Sequence, residues 1–552
     1  MDERHDSPVR QSPTPDRTGV GGGVGVAENS QRFAEAGFPQ FTGGSGGAPD
    51  LDCQKDVKRL AMGASTALGG RLVGRVVRLI VDMGLAHILG PASFGLYAIG
   101  WTITRIATYI TPLGLDAGVI RFGSESWHAD KAKLKGVILH SIAFSAVSGL
   151  ALGVAFYLLA PWLGARVFHQ PGLPQVFRWL AFAFPLLTSL RVVSAATRIS
   201  QRMKFSVYSE EIGQPVAALL LILVFCLIGW RLEGALAAIV LSCGLALLLA
   251  VYYVRQLFPE VVSKHVKPAF ARNELLRFSL PTALSVIFGV LLIWVDRLFV
   301  GYYCSAAEAG VYYAASQLSI ALAAILSGFG GIISPMVANL YHSGRNERLS
   351  ELFRVSTKWS LYLSIPPFLL MCVMPRQVMG VMFGKSYVMG SAVLPVLAAG
   401  QLINAGTGAV SSLLVMSGNQ NWIAALTGGF LVINMACELV LVPRWGVLGA
   451  AWGTAITVGG LSLLSILVAH SVLKVWPYDR RYWKGVLGAG LAAGALILLR
   501  HVLPDVPLLG MAGAGFVSLA VFAGTLLVCG LDAEDHAFMT LVWVRAKSNA
   551  RA

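Results

Sequence analysis

Four charged side chains, Arg71, Arg75, Arg78 and Asp82, interrupt the first membrane-length apolar segment of the chain. Their spacing places them within roughly 60° of arc on a helix, so they form one stripe on one face. A charge near the centre of a bilayer costs at least ~2.5–3.5 kcal/mol. Three arginines on one stripe therefore require a cavity lined by water or protein, and such a cationic cavity indicates an anionic substrate.

The guanidinium group suits phosphate, because its planar fork binds two oxygens at once and keeps its charge when it is partly dehydrated. Further charged residues lie inside other apolar segments. The residues predicted to bind the substrate are Arg71, Arg75, Arg78, Arg105 and Arg191. The acids predicted to line the cavity or to take up a coupling ion, H⁺ or Na⁺, are Asp82, Asp296 and Glu438.

Another interpretation of these charges is snorkelling to the membrane surface and structural ion pairing. It suits Arg71, which lies near the end of its segment, and Arg297, which lies beside Asp296. It is weak for Arg75, Arg78 and Asp82, which occupy the middle of the first segment. No catalytic residue, metal site or cofactor is predicted, because the sequence holds no Ser-His-Asp set, no HExxH motif and no CxxC pair.

Membrane-spanning helices are the elements that must position these residues. The chain has 552 residues, of which 56% are hydrophobic and only 13% are charged. Apolar runs of about 20 residues recur between short polar breaks, and each is long enough to cross a bilayer as a helix. The sequence therefore predicts an all-α polytopic membrane protein with about 14 transmembrane helices, at roughly 66–89, 95–116, 137–163, 175–197, 212–230, 234–254, 277–302, 309–334, 357–375, 390–416, 421–442, 447–473, 484–502 and 508–530.

The basic residues indicate how the chain is oriented. A formal net charge of +15 is compatible with a nucleic-acid partner, but Lys and Arg alternate between loops instead of forming one patch. Positively charged loops stay on the cytoplasmic side. The alternation therefore predicts a multi-pass protein of the plasma (inner) membrane with both termini in the cytoplasm, and it argues against nucleic acid.

Six segments divide the chain. They are a disordered cytoplasmic tail (1–55), an N-terminal six-helix bundle (60–256), a cytoplasmic linker (257–276), a C-terminal six-helix bundle (277–473), two additional transmembrane helices (484–530) and a cytoplasmic tail (531–552). The two bundles look related, because Asp82 precedes the Gly-x-Tyr at Tyr97 by nearly the distance at which Asp296 precedes that at Tyr312. An even number of spans in each bundle makes this a parallel repeat.

The order of several short motifs resembles a known family. The motifs are LGPASFGLY at 89–97, GLDAGVIR at 114–121, DR at 296–297 with AGVY at 309–312, FGKSY at 383–387 and PRWGVLGAA at 443–451. Together with the basic first helix, they resemble the oligosaccharide and polysaccharide flippases (Wzx-like polysaccharide transporter family) of the multidrug/oligosaccharidyl-lipid/polysaccharide exporter superfamily.

The resemblance implies a V-shaped pair of helix bundles whose first, second, seventh and eighth helices line a central cavity. It implies alternating access that moves a polyprenyl-pyrophosphate-linked oligosaccharide to the outer leaflet for cell-surface polysaccharide biosynthesis. The expected partners are this lipid-linked glycan, membrane lipids, a polysaccharide polymerase and glycosyltransferases. A drug/cation antiporter of the same fold and a membrane enzyme of glycan assembly are the alternatives. The first favours an acidic cavity, and the second usually needs a sizeable outer domain.

The orientation is testable with reporter fusions. A reporter fused after Lys264 is expected to read cytoplasmic, and one fused after Tyr303 to read external, because the basic loops then fall inside. Paired alkaline phosphatase and fluorescent-protein fusions report the compartment directly. Readings from the same compartment at both positions would contradict a span between them.

Overall fold

The computed structural model describes residues 51–127, 129–263, 265–269, 272–502 and 508–530, and these residues form helices and short connections without any strand. The predicted all-α fold class is therefore confirmed. The predicted tails lie almost wholly outside the described residues. The compact unit begins at Arg59, and of the unit before it, Met1–Lys58, only the start of the first helix is described.

The first half of the chain contains eight α-helices and several short helical segments. They are α1 Leu51–Ile110, α2 Leu115–Ser126, α3 Lys131–Trp162, a π-helix Leu163–Val167, α4 Leu173–Ala181, α5 Ala183–Thr197, a 3₁₀-helix Arg198–Ser200, α6 Lys204–Ser206, a π-helix Val207–Gly213, α7 Gln214–Leu227 and α8 Leu232–Leu257.

The rest of the chain begins with a short helix in the linker and continues through the second half. Its elements are α9 Pro259–Val262, α10 Arg272–Tyr303, α11 Ala306–His342, α12 Asn346–Val373, α13 Pro375–Phe383, a 3₁₀-helix Lys385–Ala392, α14 Val393–Gly406, α15 Val410–Met416, α16 Gln420–Leu473, a 3₁₀-helix Arg480–Tyr482, α17 Trp483–Val502 and α18 Leu508–Val528.

Two helices are too long for a single crossing. Helix α1 has 60 residues and α16 has 54, so each is roughly 80–90 Å long, against a hydrocarbon core of about 30 Å. Each is kinked at a glycine with positive φ, Gly90 (φ 72°) in α1 and Gly446 (φ 56°) in α16. Glycine adopts this backbone without the steric cost that a β-carbon brings. We call the two parts of α1 its first and second arms.

Nine helices among the described residues are long and apolar enough to cross a membrane, or eleven if each of two bent helix pairs forms one span. The bent pairs are α4 with α5, and α12 with α13. The kinked α16 has room for two crossings, and the charged α1, which falls outside this tally, has room for two more. The helix order thus accommodates fourteen spans, but the number fourteen, the six segments and the parallel repeat stay predictions.

Two glycines allow the second arm of α1 to contact the start of α11. A β-carbon at Gly95 would overlap the carbonyl oxygen of Ala306, and one at Gly310 would overlap that of Pro91. Gly95 and Gly310 are the glycines of the two Gly-x-Tyr motifs. The contact therefore joins the two predicted bundles through matching positions, and it lies at the end of the bundles that the charge pattern places outside.

The linker between the predicted bundles is attached to the start of α3. Lys131 forms a 2.9 Å ion pair with Glu260, and the hydrogen bond from this lysine lowers the pKa of the glutamate. The amide of Ala269 donates to the carbonyl oxygen of Ala132 at 3.0 Å. Lys135 also donates to the carbonyl oxygen of Ser263 at 2.5 Å, so the linker is held against the first bundle at three points.

Alanine at Gly95 or Gly310 is expected to lower the thermal unfolding midpoint of the detergent-solubilised protein. A methyl group at either position forces two backbones apart, and such overpacking typically costs about 1–3 kcal/mol. Gly84→Ala, in the first arm of the same helix, is the matched control, because nothing lies within 4 Å of an added β-carbon there. Equal midpoints for Gly84→Ala and Gly95→Ala would contradict the close contact.

Candidate functional site

Three of the arginines predicted to bind the substrate line one cavity inside the first half of the chain. Arg78 comes from the first arm of α1, Arg105 from its second arm and Arg191 from α5. The cavity has a volume of about 60 Å³, room for several water molecules. Its other lining residues are Thr108, Tyr109, Leu187, Leu190, Glu210, Glu211 and Gln214.

Arg191 has a fixed partner. Its Nη2 lies 2.7 Å from the carboxylate of Asp116, and its guanidinium carbon lies 3.6 Å from the centroid of the Tyr109 ring. A charge-assisted hydrogen bond and a cation–π contact hold the side chain in one orientation. Arg191 therefore contributes a positioned but largely neutralised charge to the cavity.

Arg78 and Arg105 lack such an acidic partner. Neither forms an ion pair with any residue that the structure describes. The Arg105 guanidinium lies 5.0 Å from the ring centroid of Trp101, and its Nε is buried without a hydrogen-bond partner. A buried donor without an acceptor is costly. These two arginines are therefore the charges in the cavity that are available to an anion.

Arg71 and Arg75 lie outside the cavity. Both are exposed in the described part of the chain, and Nη1 of Arg75 donates to Oγ of Ser327 in α11 at 3.3 Å. The stripe along the first arm of α1 thus starts in the cavity at Arg78 and continues towards the second half of the chain. The structure separates the predicted set into three residues that line the cavity and two that lie outside it on the same helix, α1.

Asp82 is part of a buried polar bridge between the two halves. It is 2% exposed and accepts a 2.6 Å hydrogen bond from Nε2 of Gln317 in α11. The amide oxygen of Gln317 accepts from Nη2 of Arg297 at 3.3 Å. Arg297 is itself 4% exposed and lies over the rings of Trp294 and Tyr313. Gln317 thus links a buried acid of the first half to a buried base of the second.

Asp296 and Glu438 lie in the second half, Asp296 in α10 and Glu438 in α16. Asp296 is buried and accepts hydrogen bonds from the Tyr312 hydroxyl at 2.6 Å and from the Thr454 hydroxyl at 3.1 Å. Glu438 is fully buried, and neither of its carboxylate oxygens has a hydrogen-bond partner among the described residues. One of these oxygens lies 2.7 Å from where a β-carbon on Gly453 would be, next to Thr454.

The roles that the sequence predicts for these acids stay predictions. Asp82 and Asp296 are buried in hydrogen-bonded contacts in this conformation, so their predicted exposure to the central cavity stays a prediction. The described residues contain no group of three or more His, Cys, Asp or Glu side chains able to hold a metal ion. Glu438, a single acid with polar neighbours, does not form such a group.

The sequence analysis missed two glutamates of the cavity. It placed Glu210 and Glu211 in the loop before a span beginning at 212, whereas the structure extends the helical backbone through the π-helix Val207–Gly213. Glu210 lies 3.6 Å from Arg198. The signal available in the sequence was a pair of consecutive acids directly before an apolar run. Only the tertiary structure shows that these acids line the same cavity as Arg78.

Comparisons with known proteins address the chain as a whole. A family described as "Polysaccharide biosynthesis protein" matches residues 85–391, more than half of the chain. The chain is 27% identical over 324 residues to the succinoglycan biosynthesis transport protein ExoT of Rhizobium meliloti, covering 57% of this chain and 60% of ExoT. It is 25% identical over 206 residues to the probable low-salt glycan biosynthesis flippase Agl15 of Haloferax volcanii, covering 37% of this chain and 43% of Agl15. The matches thus span about half the length of these two relatives.

Solved structures share the fold at low sequence identity. The lipid II flippase MurJ in an inward closed conformation aligns with a TM-score of 0.64 at 13% identity, covering 82% of this chain and 96% of MurJ. An inward-facing multidrug resistance transporter of the MATE family aligns with a TM-score of 0.63 at 15% identity, covering 74% and 98%. The chain therefore shares the fold of these two transporters.

Proposed function

The chain belongs to the polysaccharide biosynthesis protein family, and from that premise we propose that it is a flippase for lipid-linked oligosaccharides. It moves a polyprenyl-pyrophosphate-linked oligosaccharide from the cytoplasmic to the outer leaflet for cell-surface polysaccharide biosynthesis. The names of the relatives, a glycan biosynthesis flippase and a succinoglycan transport protein, support this class of substrate.

One observation carries the proposal: Arg78 and Arg105 line a cavity within the membrane bundle without an acidic partner among the described residues. A diphosphate diester brings negatively charged oxygens that accept from both guanidinium groups, and such hydrogen bonds are stronger than neutral ones. The remaining arginine, Arg191, holds the wall of the cavity in place through Asp116. The site is thus suited to the anionic part of the substrate.

The polyprenyl tail stays in the bilayer while the headgroup enters the protein. Arg71 and Arg75 extend the cationic stripe from the cavity along α1, towards the contact with Ser327 of α11. They offer the phosphates an attractive route between α1 and α11. The cavity has room only for several water molecules in this conformation, so it widens when the headgroup binds. Alternating access supplies this change by breaking the Gly95–Gly310 and Asp82–Gln317 contacts.

The energy for transport comes from H⁺ or Na⁺ bound at Asp296 and Glu438. An ionised carboxylate without partners is very unfavourable in a buried site, so Glu438 requires a proton or a cation. The hydroxyl oxygen of Thr454 and the carboxylate of Asp296 are additional ligands of the kind that hard cations prefer. Asp82 connects this region to the arginine cavity through Gln317 and Arg297.

The protein acts in the plasma (inner) membrane with both termini in the cytoplasm, next to the enzymes that make and use its substrate. Glycosyltransferases supply the lipid-linked glycan on the inner face, and a polysaccharide polymerase consumes it on the outer face. A drug/cation antiporter is the competing function, because the multidrug transporter shares the fold. Arg78 and Arg105, which have no ion pair among the described residues, outnumber the one unpaired acid of the cavity, Glu211, and this balance of charge opposes a cationic substrate. A membrane enzyme of glycan assembly is the third candidate.

Arg78→Gln and Arg105→Gln are each expected to lower the rate of glycan-lipid translocation at least tenfold, because each removes a charge that binds phosphate oxygens. The measurement is leaflet translocation of a fluorescent polyprenyl-diphosphate glycan in proteoliposomes, normalised to the amount of protein. Lysine at either position should restore activity only partly, since it keeps the charge without the fork. The same test applies to the Arg75→Gln/Arg78→Gln double variant, which is expected to be inactive.

Arg166→Gln serves as the control, because Arg166 is exposed on the π-helix Leu163–Val167 outside the cavity. Wild-type translocation rates in the cavity variants would refute the anion site. Transport of cationic drugs instead of the lipid by the wild-type protein would favour the antiporter. Chemical conversion of the lipid-linked glycan during the assay would favour the enzyme.

Glu438→Gln is expected to abolish the dependence of translocation on an imposed Na⁺ or pH gradient, because the amide neither ionises nor takes up a proton. The rate is measured in the same proteoliposomes with each gradient in turn. Glu308→Gln is the control, since Glu308 caps the start of α11 in a capping box and glutamine preserves that role. A Glu438→Gln protein with full gradient dependence would exclude this residue from coupling.

A further inference from the structure

Glu211 lines the arginine cavity, and its carboxylate forms no hydrogen bond or ion pair with the residues that the structure describes. We propose that Glu211 accepts hydrogen bonds from the hydroxyl groups of the first sugar, the one joined to the phosphate that Arg78 and Arg105 bind. Glu211 then makes the site specific for a lipid that carries a glycan. This inference rests on the proposed function and assigns the sugar-binding part of the same site.

The backbone brings Glu211 to the cationic stripe. In the π-helix Val207–Gly213 the chain is wound more widely than in an α-helix, and both Glu210 and Glu211 reach the cavity wall. A π-turn of this kind is often found at functional sites. A β-carbon at Gly74 would overlap the carbonyl oxygen of Glu211. Gly74 is the residue before Arg75 in α1, so its lack of a side chain allows Glu211 to lie directly beside the stripe.

The charges around the cavity divide into paired and unpaired groups. Arg191 is paired with Asp116 at 2.7 Å, and Glu210 with Arg198 at 3.6 Å. Three charged groups of the lining remain without an ion pair among the described residues: Arg78, Arg105 and Glu211. Two cations and one anion thus line the same cavity and do not contact each other directly. A ligand that brings both acceptors and donors satisfies all three.

A glycosyl phosphate has this combination of groups. Its phosphate oxygens accept from the arginines, and its neighbouring sugar hydroxyls donate to a carboxylate, which is an acceptor-only group when ionised. A lipid phosphate without sugar offers only the anion, which Glu211 repels. The same carboxylate therefore favours the glycan-bearing lipid and disfavours the bare lipid, and specificity arises from both effects. A substrate hydroxyl that satisfies a polar protein group can give large discrimination.

The experiment compares two lipids on the full-length protein in nanodiscs: polyprenyl diphosphate, and the same lipid with a single N-acetylhexosamine attached. Glu211→Ala is expected to weaken binding of the sugar-bearing lipid about tenfold or more, because hydrogen bonds to a charged group are lost. It is expected to leave binding of the bare lipid unchanged or to strengthen it, because a negative charge is removed. Glu211→Gln keeps an acceptor oxygen of similar shape, so a smaller change in the same direction is expected.

Two further variants sharpen the comparison. Arg78→Gln is expected to weaken binding of both lipids by similar factors, since it removes a phosphate contact. Glu125→Gln is the matched control, because it neutralises an exposed glutamate that pairs with Arg121 away from the cavity. This variant is expected to bind both lipids as the wild type does.

The outcomes separate the inference from the proposed function. If the Glu211 variants change binding of the two lipids by equal factors, Glu211 acts only through charge or structure and the inference is wrong, while the flippase proposal stands. If the wild-type protein binds neither lipid, both proposals are overturned. Weaker binding of the sugar-bearing lipid by Glu211→Ala with unchanged or tighter binding of the bare lipid, together with similar effects of Arg78→Gln on both lipids, would support the assignment of the sugar contact.

Discussion

Charged side chains in the interior of a membrane protein have little water to solvate them, so each requires a partner, a cavity or a ligand. This constraint organises the polar residues of the chain. Arg191 lies against Asp116 and the Tyr109 ring, and Asp82 is joined to Arg297 through Gln317. Such bridges keep the charges tolerable inside a bundle that is otherwise made of apolar helices.

The same constraint points to candidate functional sites, because a buried charge without a partner is costly and is commonly retained for binding or transport. Arg78 and Arg105 in the first half and Glu438 in the second are in this position in the described part of the chain. They form the proposed anion site and the proposed coupling site. The buried bridge from Asp82 to Arg297 lies between them and crosses from one half to the other.

Glycine residues allow the elements of this arrangement to approach each other closely. The Gly95–Gly310 approach lets two helices from different halves touch through backbone atoms, and Gly74 lets the π-helix with Glu211 reach the cationic stripe. Contacts between backbones without intervening side chains involve little apolar interdigitation. In the proposed alternating access, such contacts form in one state and are released in another.

The sequence by itself determined the helical membrane fold and the position of the cationic stripe on α1. Helical period and the cost of charge in lipid are local properties, so apolar runs and the spacing of Arg71, Arg75 and Arg78 were sufficient for the all-α class and for the stripe on α1. The family resemblance also came from motifs in the chain, and the family match confirmed it, while the solved structures confirmed the fold.

Only the tertiary structure decided which of these charges have partners. The ion pair of Arg191 joins residues 75 positions apart, and the hydrogen bond between Gln317 and Asp82 joins residues 235 positions apart. Helical period relates neighbours on one helix but says nothing about which helix faces which. The sequence therefore could not distinguish the neutralised Arg191 from the unpaired Arg78 and Arg105. It also assigned Glu211 to a loop, because helical period does not show that the π-helix Val207–Gly213 lies against Gly74 of α1.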